Sequence, residues 1–265
     1  GTVPVVVAPD PVGDDVPGPA KRLAARLAHA LSARRLLLVQ SEEGHLELGP
    51  HPIHLTVAEA RRRAAGAEGG ARLLWDFLVQ QADAGLPGVV VLPPRPGCIF
   101  DELFTHAGGG LLVADSLVEQ VRPATLADAA HLHLLLKSDI ARGTIRPVTE
   151  VEMVRTAPDH LVYTIDGLVV GTARLAPYGD WAELSRFATL PRYRGRGRAR
   201  ALGLALIDLA RARGFTDLFA LSVDSRMWRF FESLGFAATE RERLPAAWCA
   251  GYDFARPSRA FHRTV

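Results

Sequence analysis

Arginine and glycine alternate over residues 194–198, directly before a segment with helical spacing of apolar residues, within "LPRYRGRGRARALGLALIDLARARGF". Glycines between a strand and a helix let the backbone turn so that several N–H groups point at one anion, and the helix N-terminus adds partial positive charge. The helix begins near Arg198 and places Leu202, Leu206 and Leu209 on one face. The segment predicts a pyrophosphate-binding loop at a strand-to-helix junction; a solvated arginine-rich helix start is the alternative.

The spacing of the loop separates it from two common nucleotide motifs, Gly-x-x-x-x-Gly-Lys-Ser/Thr and the complete Gly-x-Gly-x-x-Gly. The pattern present is Arg194-x-x-Gly197-x-Ala199. It resembles the acetyl-CoA loop of the GNAT superfamily of N-acetyltransferases, which implies acetyl-CoA as cosubstrate and no metal ion. Backbone groups at the end of the preceding strand would pair with pantetheine like an added strand, and N–H groups of the loop would hold the pyrophosphate. The cofactor-binding residues implied are Phe187, Ala188, Thr189, Arg194, Gly195, Arg196, Gly197, Arg198 and Ala199.

Composition and charge exclude several classes of protein. The 265 residues are 48% hydrophobic and 23% charged with a net charge of +2, so we expect a globular protein without a general nucleic-acid footprint. No apolar run reaches the roughly 18 residues that a membrane span needs. Cys98 and Cys249 are too few for a disulfide framework, which favours a reducing, cytoplasmic setting. Because the sequence begins with Gly1 and not Met, we expect a processed chain or a fragment.

The first part of the chain alternates between strand-like and helix-like segments. "TVPVVVAP", "LLLVQ" and "GVVVLPP" have the apolar, β-branched character of buried strands and are separated by segments with helical spacing. Thr56 stands three residues before Glu59, as in a capping box at a helix start. The second part differs, because two strands around Asp166-Gly167 predict a tight hairpin and antiparallel pairing. The pattern predicts two α/β domains.

Longer segments resemble bacterial N-acetylglutamate synthases. "ELSRFATLPRYRGRGRARAL", "DLFALS", "LGF" and "LPAAWCAGYDFARPSRAF" follow the order of their acetyltransferase domain, and "HLTVAEA" and "DELFTHAGGGLLV" resemble the C-terminal half of the amino-acid-kinase domain that precedes it. The resemblance implies a partial amino-acid-kinase-like α/β sandwich over residues 1–116, without the upstream half. It implies a GNAT fold with a mixed, mostly antiparallel sheet over residues 117–265. It also implies L-glutamate as acceptor, L-arginine as effector, and a homo-oligomer.

Two residues carry the predicted chemistry. Acetyl transfer to an amine needs a base for the ammonium proton and an acid for the leaving thiolate. By the resemblance, Glu183 is the general base, acting through water, and Ser222 donates a proton to the CoA thiolate. Phe231 stands where many acetyltransferases have a tyrosine for this step. The alternatives are an exposed, inert carboxylate and a strand-end hydroxyl that only bonds backbone.

The acceptor site calls for arginine, because a substrate with two carboxylates is best held by planar bidentate donors. Arg256 matches the arginine that grips the α-carboxylate in the resembled family. The second family arginine aligns nearest Val148, so Arg146, two positions away, is the substitute. Arg186 is a further candidate.

"DELFTHAGGG" resembles the segment that binds feedback-inhibitor arginine in the same family. Glu102 would pair with the effector guanidinium and the backbone near Gly108 would meet the ligand; alternatively, these residues only close a turn before a strand. Phosphoryl transfer is not expected, because the upstream phosphate loop and lysine are missing and Gln40-Ser41 replaces the family's Thr-Asp.

Four histidines are predicted to have no special role. His51-x-x-His54 lies in a Pro-containing segment without a carboxylate or thiol at useful spacing, so we predict a surface loop and no metal site. His131 and His133 are predicted as ordinary helix residues.

Together these features predict an N-acetyltransferase that converts acetyl-CoA and L-glutamate to N-acetyl-L-glutamate and CoA, the first step toward arginine. Two other interpretations stay open: an acetyltransferase for another small amine, and an arginine-sensing regulatory protein that no longer turns over. Glu183 together with the intact Arg194-x-x-Gly197-x-Ala199 pattern argues against the regulatory protein.

Overall fold

The computed structural model of the chain divides into two compact units, Gly1–Leu117 and Val118–Val265. The strand predicted at "TVPVVVAP" and the residue His51 lie outside the described residues. The domain limits predicted from the sequence stay a prediction. The structure describes residues 18–41, 46–48, 53–105, 108–115 and 118–265.

The first unit has four helices and four strands among its described residues. These elements are α1 (Pro19–Ala30), β1 (Leu36–Val39), β2 (Ile53–Leu55), α2 (Val57–Ala65), α3 (Gly69–Asp83), β3 (Val89–Leu92), α4 (Cys98–Phe104) and β4 (Leu111–Val113).

The four strands form one sheet in the order β1-β3-β4-β2. β1 and β3 are parallel, as are β2 and β4, whereas β3 and β4 are antiparallel. β3 is buried over its whole length, as its unbroken apolar run predicts. The helices bury the apolar side of each amphipathic pattern, for example Leu74, Phe77 and Leu78 of α3. The capping box predicted at Thr56 and Glu59 is present, and α2 begins directly after Thr56.

Two features of the first unit differ from the sequence prediction. His54 lies on β2 and is 5% exposed, with its Nε2 in a hydrogen bond to the carbonyl of Ala114. The prediction of a surface loop is therefore wrong for His54, because pairing with β4 begins at Ile53. The other feature is α4, a short helix that the apolar pattern does not indicate.

The second unit is described throughout. Its elements are β5 (Glu119–Pro123), α5 (Ala129–Ala141), α6 (Glu150–Thr156), β6 (His160–Ile165), β7 (Leu168–Tyr178), β8 (Trp181–Thr189), α7 (Arg198–Ala212), β9 (Asp217–Ser222), α8 (Ser225–Ser233), β10 (Ala237–Thr239), α9 (Ala246–Cys249) and β11 (Arg259–Thr264).

These strands form a seven-stranded sheet in the order β10-β11-β9-β8-β7-β6-β5. Every neighbouring pair is antiparallel except β8 and β9, which are parallel. The hairpin between β6 and β7 turns at Asp166 and Gly167, with φ values of 50° and 82°, the positive values that a tight hairpin turn requires. The predicted mixed, mostly antiparallel sheet is thus confirmed.

Helix α7 begins at Arg198, as the sequence predicts, and buries Leu202, Leu206, Ile207 and Ala210. The predicted face is confirmed for Leu202 and Leu206. Among the described residues, no helix has both the length and the apolar character to cross a membrane.

Candidate functional site

The site of the second unit forms where β8 and β9 part. Their parallel pairing covers only Trp181–Glu183 against Asp217–Phe219. Beyond this point β8 continues to Thr189 and β9 to Ser222, and in this fully described unit no further pairing joins them. Because buried backbone N–H and C=O groups need partners, the facing edges form a slot that an extended ligand can fill.

A cavity of about 650 Å³ opens at this parting. Its lining includes ten of the site residues predicted from the sequence. They lie on β8, at the end of β9, in the loop before α7 and its first turn, and among the arginines predicted to bind the acceptor. No group of three or more His, Cys, Asp or Glu side chains in the described part of the chain could hold a metal ion. The ten residues are Arg146, Glu183, Arg186, Phe187, Ala188, Thr189, Arg194, Ala199, Ser222 and Arg256.

Glu183 stands at the last position at which β8 pairs with β9, opposite Phe219 on β9 and Ala176 on β7. Glu183 is only 7% exposed to solvent. Burial raises the pKa of the Glu183 carboxyl above its ordinary value, while the charges of Arg146, Arg174 and Arg186 oppose this rise. A carboxyl with a raised pKa that faces a cavity is suited to accept a proton from a ligand.

Ser222 ends β9 and lines the same cavity. Its Oγ accepts a hydrogen bond from the backbone N–H of Asp224 at 3.0 Å and lies 3.4 Å from the carbonyl oxygen of the same residue. The hydroxyl thus binds backbone, as one alternative expects, yet it also borders the cavity. Its role as proton donor stays a prediction.

The loop between β8 and α7 has the conformation that its glycines allow. Gly195 and Gly197 have φ values of 79° and 75°, and Gly197 is the N-cap residue of α7. N–H groups in the first turn of a helix have no intrahelical acceptor. Arg194 fixes the start of the loop by donating from Nε to the carbonyl of Thr189 at 2.9 Å. The loop can therefore present several N–H groups to an anion.

Arg146 is a cavity arginine without an ion pair to any of the described residues. Its guanidinium lies 5.5 Å from the centre of the Tyr252 ring. Val148, the position that aligns with the second family arginine, is 7% exposed and packs in the core. The structure thus places Arg146, rather than residue 148, in the cavity.

Arg256 reaches the cavity while it holds a neighbouring loop. Its Nη2 donates to the carbonyls of Gly143 and Thr144 at 2.6 and 3.1 Å. These two bonds use one nitrogen of the guanidinium, so the other donors remain available for a carboxylate.

Arg186 occupies a β-bulge. Thr172 pairs with Ala188 and Arg174 with Ser185, so one residue of β7 faces two residues of β8. Arg186 has a φ of 54°, a left-handed conformation that costs about 1 kcal/mol or more in a non-glycine residue. Its guanidinium pairs with Glu152 and donates to Thr156 Oγ1 at 3.3 Å. The charge of Arg186 is thus already compensated within the protein.

Sequence reasoning missed Arg174 and Tyr178, which also line the cavity. Both lie on β7 at alternate positions with Ala176, the cross-strand partner of Glu183, so they face the same side of the sheet. Alternation along β7 could have grouped them, but only the register with β8 shows that they share a side with Glu183.

The two residues predicted for an effector lie in the first unit. The Glu102 side chain is fully buried and pairs with Arg35 Nη1 at 3.1 Å, and it accepts a hydrogen bond from the N–H of Gly109 at 2.8 Å. A Cβ atom on Gly109 or Gly110 would lie 2.5 or 2.1 Å from a backbone carbonyl oxygen, so close packing explains these glycines. Gly108 has a φ of 77°. An effector guanidinium at Glu102 would have to displace Arg35, and the effector role stays a prediction.

Comparison with known proteins relates the second unit to a class of proteins. Residues 132–236 match the model of the acetyltransferase (GNAT) family. This range contains the parted strands, the loop and α7. This match agrees with the GNAT fold predicted for the second unit.

Over nearly the whole chain, the protein is similar to amino-acid acetyltransferases. The enzyme of that name from Azotobacter vinelandii is 31% identical over 254 residues, which cover 92% of this chain and 57% of the relative. The one from Pseudomonas aeruginosa is 31% identical over 256 residues with the same shares. The chain thus spans 57% of the length of these relatives.

Two solved structures agree with this relationship. The N-acetylglutamate synthase from Neisseria gonorrhoeae complexed with coenzyme A and N-acetyl-glutamate superposes with a TM-score of 0.52 at 25% identity, covering 96% of this chain and 62% of that chain. The complex of the same enzyme with coenzyme A and L-arginine gives 0.52 at 26% identity, covering 92% and 57%. The resemblance to N-acetylglutamate synthases and the fold class predicted from the sequence are confirmed.

Replacement of Glu183 by glutamine tests whether burial raises the pKa of this carboxyl in the folded protein. Because burial raises the pKa of Glu183, the unfolded chain releases this proton at lower pH than the folded protein, so the native state loses stability as pH rises above the ordinary value. Glu183→Gln removes this effect. We expect a higher Tm than wild type at about pH 8 and convergence below about pH 4.

Thermal unfolding across this pH range is the measurement. Glu242→Gln is the matched control, because Glu242 is an exposed glutamate of the same unit, and it should give no pH-dependent gain. A Tm difference for Glu183→Gln that does not change with pH would contradict the raised pKa.

Proposed function

We propose that the second unit transfers the acetyl group of acetyl-CoA to the amino group of L-glutamate, giving N-acetyl-L-glutamate and CoA. The observation that carries this proposal is the buried Glu183 carboxyl, which shares one cavity with Arg194 of the glycine loop and with Arg146. Base, anion-binding loop and carboxylate-binding arginine are the three elements that the reaction needs.

Acetyl-CoA fits the slot between the parted strands. The unpaired edge of β8 at Phe187–Thr189 can exchange backbone hydrogen bonds with pantetheine, and the loop N–H groups between Gly195 and Ala199 can receive the pyrophosphate. The Neisseria gonorrhoeae enzyme was solved with coenzyme A, which supports this cosubstrate.

The proposed chemistry is direct transfer. Glu183 takes one proton from the ammonium group, through water, so that the nitrogen lone pair can attack the thioester carbonyl. The C–N bond forms and the C–S bond breaks. The CoA thiolate then receives a proton through Ser222. The nitrogen loses two protons in the reaction. One passes to Glu183 and then to solvent, and the other replaces the proton that the CoA thiolate gains to become the thiol.

The assignment of glutamate as the acceptor rests on the cavity arginines that form no ion pair with the described residues. Arg186 and Arg174 are paired with Glu152 and Asp159, whereas Arg146 has no carboxylate partner among the described residues. We assign the α-carboxylate to Arg256 and the side-chain carboxylate to Arg146. Bidentate pairing of arginine with carboxylate gives both affinity and orientation.

The reaction is proposed as the first step of arginine biosynthesis, with L-arginine as an effector that competes with Arg35 for Glu102. The complex of the Neisseria gonorrhoeae enzyme with L-arginine supports an effector of this kind. The homo-oligomer and the cytoplasmic setting stay predictions.

A CoA-release assay with a panel of amino acids tests the proposed function. We expect L-glutamate to be the preferred acceptor and Glu183→Gln to lower turnover by roughly 10²–10⁴-fold, the usual worth of a general base, without a change in acetyl-CoA affinity. Because the base must be ionised, wild-type kcat/KM should rise with pH to a midpoint above the ordinary glutamate value of 4.5.

Other results of the assay would support a different acceptor, a regulatory role or a different base. Preference for another amino acid would assign a different acceptor, and acetyl-CoA binding without turnover on any acceptor would favour a regulatory protein. Near-normal turnover of Glu183→Gln would remove Glu183 from the mechanism.

Loss of Arg146 tests the acceptor assignment. Arg146→Ala should raise KM for glutamate by roughly 10- to 100-fold, the worth of a charged hydrogen-bonded pair, and should leave KM for acetyl-CoA unchanged. It should also reduce the preference for glutamate over glutamine, whereas Arg256→Ala should weaken both acceptors equally. Arg229→Ala, on the exposed side of α8, is the control. An unchanged glutamate preference in Arg146→Ala would place the side-chain carboxylate elsewhere.

The proposed effector site is tested by removing Arg35, the ion-pair partner of Glu102. Arg35→Met removes the guanidinium partner of a fully buried carboxylate, so the free energy of unfolding should fall by about 1–3 kcal/mol. Millimolar L-arginine should restore much of that stability and should bind the wild type weakly. Glu102→Ala should abolish the restoration in the double variant. Inhibition of Glu102→Ala by L-arginine as strong as that of the wild type would place the effector site elsewhere.

A further inference from the structure

Arg198 is the one buried arginine of the glycine loop: its side chain is 3% exposed, and it does not line the cavity. It is the first residue of α7, at the far end of the loop. Its Nη1 donates to the carbonyl of Tyr193 at 3.0 Å, and Tyr193 ends the short 3-10 turn that precedes the loop. One side chain therefore joins the two ends of the loop.

Glu119 and Tyr163 also surround the Arg198 guanidinium, and we call these two residues together with Arg198 and Tyr193 the Arg198 cluster. Arg198 Nη2 donates to one carboxylate oxygen of Glu119, and the Tyr163 hydroxyl donates to the other. The guanidinium lies 5.8 Å from the Tyr163 ring centre and 5.6 Å from that of Tyr193, within cation-π distance. Burial and the Glu119 carboxylate raise the pKa of Tyr163, so its hydroxyl stays protonated.

At its two glycines the loop has no side chain of its own to restrict the backbone. Both Gly195 and Gly197 are in the left-handed region, and a Cβ atom on either would meet nothing within 4 Å. Glycine without packed neighbours has wide backbone freedom, and a ligand that orders such a loop loses affinity to the entropy of ordering. A side chain that fixes both loop ends reduces this loss.

We propose that Arg198 is a positioning residue for acetyl-CoA: with Glu119 on β5 and Tyr163 on β6, it holds the loop so that its N–H groups converge on the pyrophosphate. The Arg198 guanidinium does not bind phosphate, because its charge is compensated by Glu119. The inference rests on the proposed acetyl-CoA function and extends the cosubstrate site to two strands that do not line the cavity.

Glu119→Gln separates positioning from direct phosphate binding, because the two roles predict opposite changes. If Arg198 bound phosphate, loss of the competing carboxylate would leave CoA affinity unchanged or increase it. As a positioning residue, Arg198 loses its orientation, so Kd for CoA should rise by about 3- to 10-fold. Isothermal titration of CoA measures Kd, and hydrogen exchange over residues 194–200 of the free protein should become faster.

Two more variants and a control complete the experiment. Tyr163→Phe should weaken CoA by a smaller factor, and Arg198→Met by about tenfold or more. For all three variants, kcat at saturating acetyl-CoA and KM for glutamate should stay within about threefold of wild type, since the ligand orders the loop once it is bound. Arg200→Met is the control, because Arg200 donates instead to the carbonyl of Ser233 on α8, and its CoA affinity should not change.

The possible failures are distinguishable. If Glu119→Gln and Tyr163→Phe bind CoA as tightly as wild type, the positioning role is overturned, even where Arg198→Met fails to fold. A proportional loss of CoA affinity, kcat and glutamate affinity would show a general folding defect and would also overturn it. If the wild type binds CoA but acetylates no acceptor, the proposed function fails and the positioning role stands.

Discussion

The separation of β8 from β9 is the constraint on which the rest of the site depends. These strands are the one parallel pair in the sheet of the fully described second unit, and their hydrogen bonds end at Glu183 and Phe219. Past that point each strand offers backbone groups to a ligand instead of to its neighbour. The same separation admits the cavity, and it leaves Glu183 at the junction between a packed sheet and an open slot. Both the open slot and the buried carboxyl of Glu183 are therefore consequences of one interrupted ladder.

Electrostatic balance within the cavity follows from this arrangement. Burial raises the pKa of the Glu183 carboxyl, and the charges of the surrounding arginines oppose this rise without cancelling it. Most of these arginines have partners of their own, such as Glu152 for Arg186 and Asp159 for Arg174. Such pairs limit the net positive charge and keep the guanidinium groups oriented. Arg146 differs in having an aromatic neighbour and no ion pair with any of the described residues.

The first unit satisfies its buried charge internally. Arg35, the residue directly before β1, pairs with Glu102 of α4. The N–H of Gly109 donates a further hydrogen bond to the same carboxylate. Gly109 and Gly110 are required by backbone packing, which is a structural reason for two glycines of a segment that resembles a ligand site. A ligand site and a packing requirement can thus share the same residues, and the sequence does not distinguish between them.

Local features of this protein follow from the sequence by itself. The start of α7 at Arg198, the capping box at Thr56 and the hairpin at Asp166 depend on backbone preferences of a few adjacent residues, which the sequence contains in full. The tertiary structure decided which arginines are free. Arg186 pairs with Glu152, 34 residues away, and Arg198 turns from the cavity toward Glu119, 79 residues away. The bulge at Arg186 and the register that places Tyr178 beside Glu183 also depend on strand pairing. Contacts of this kind arise from packing between distant segments, and local spacing carries no information about them.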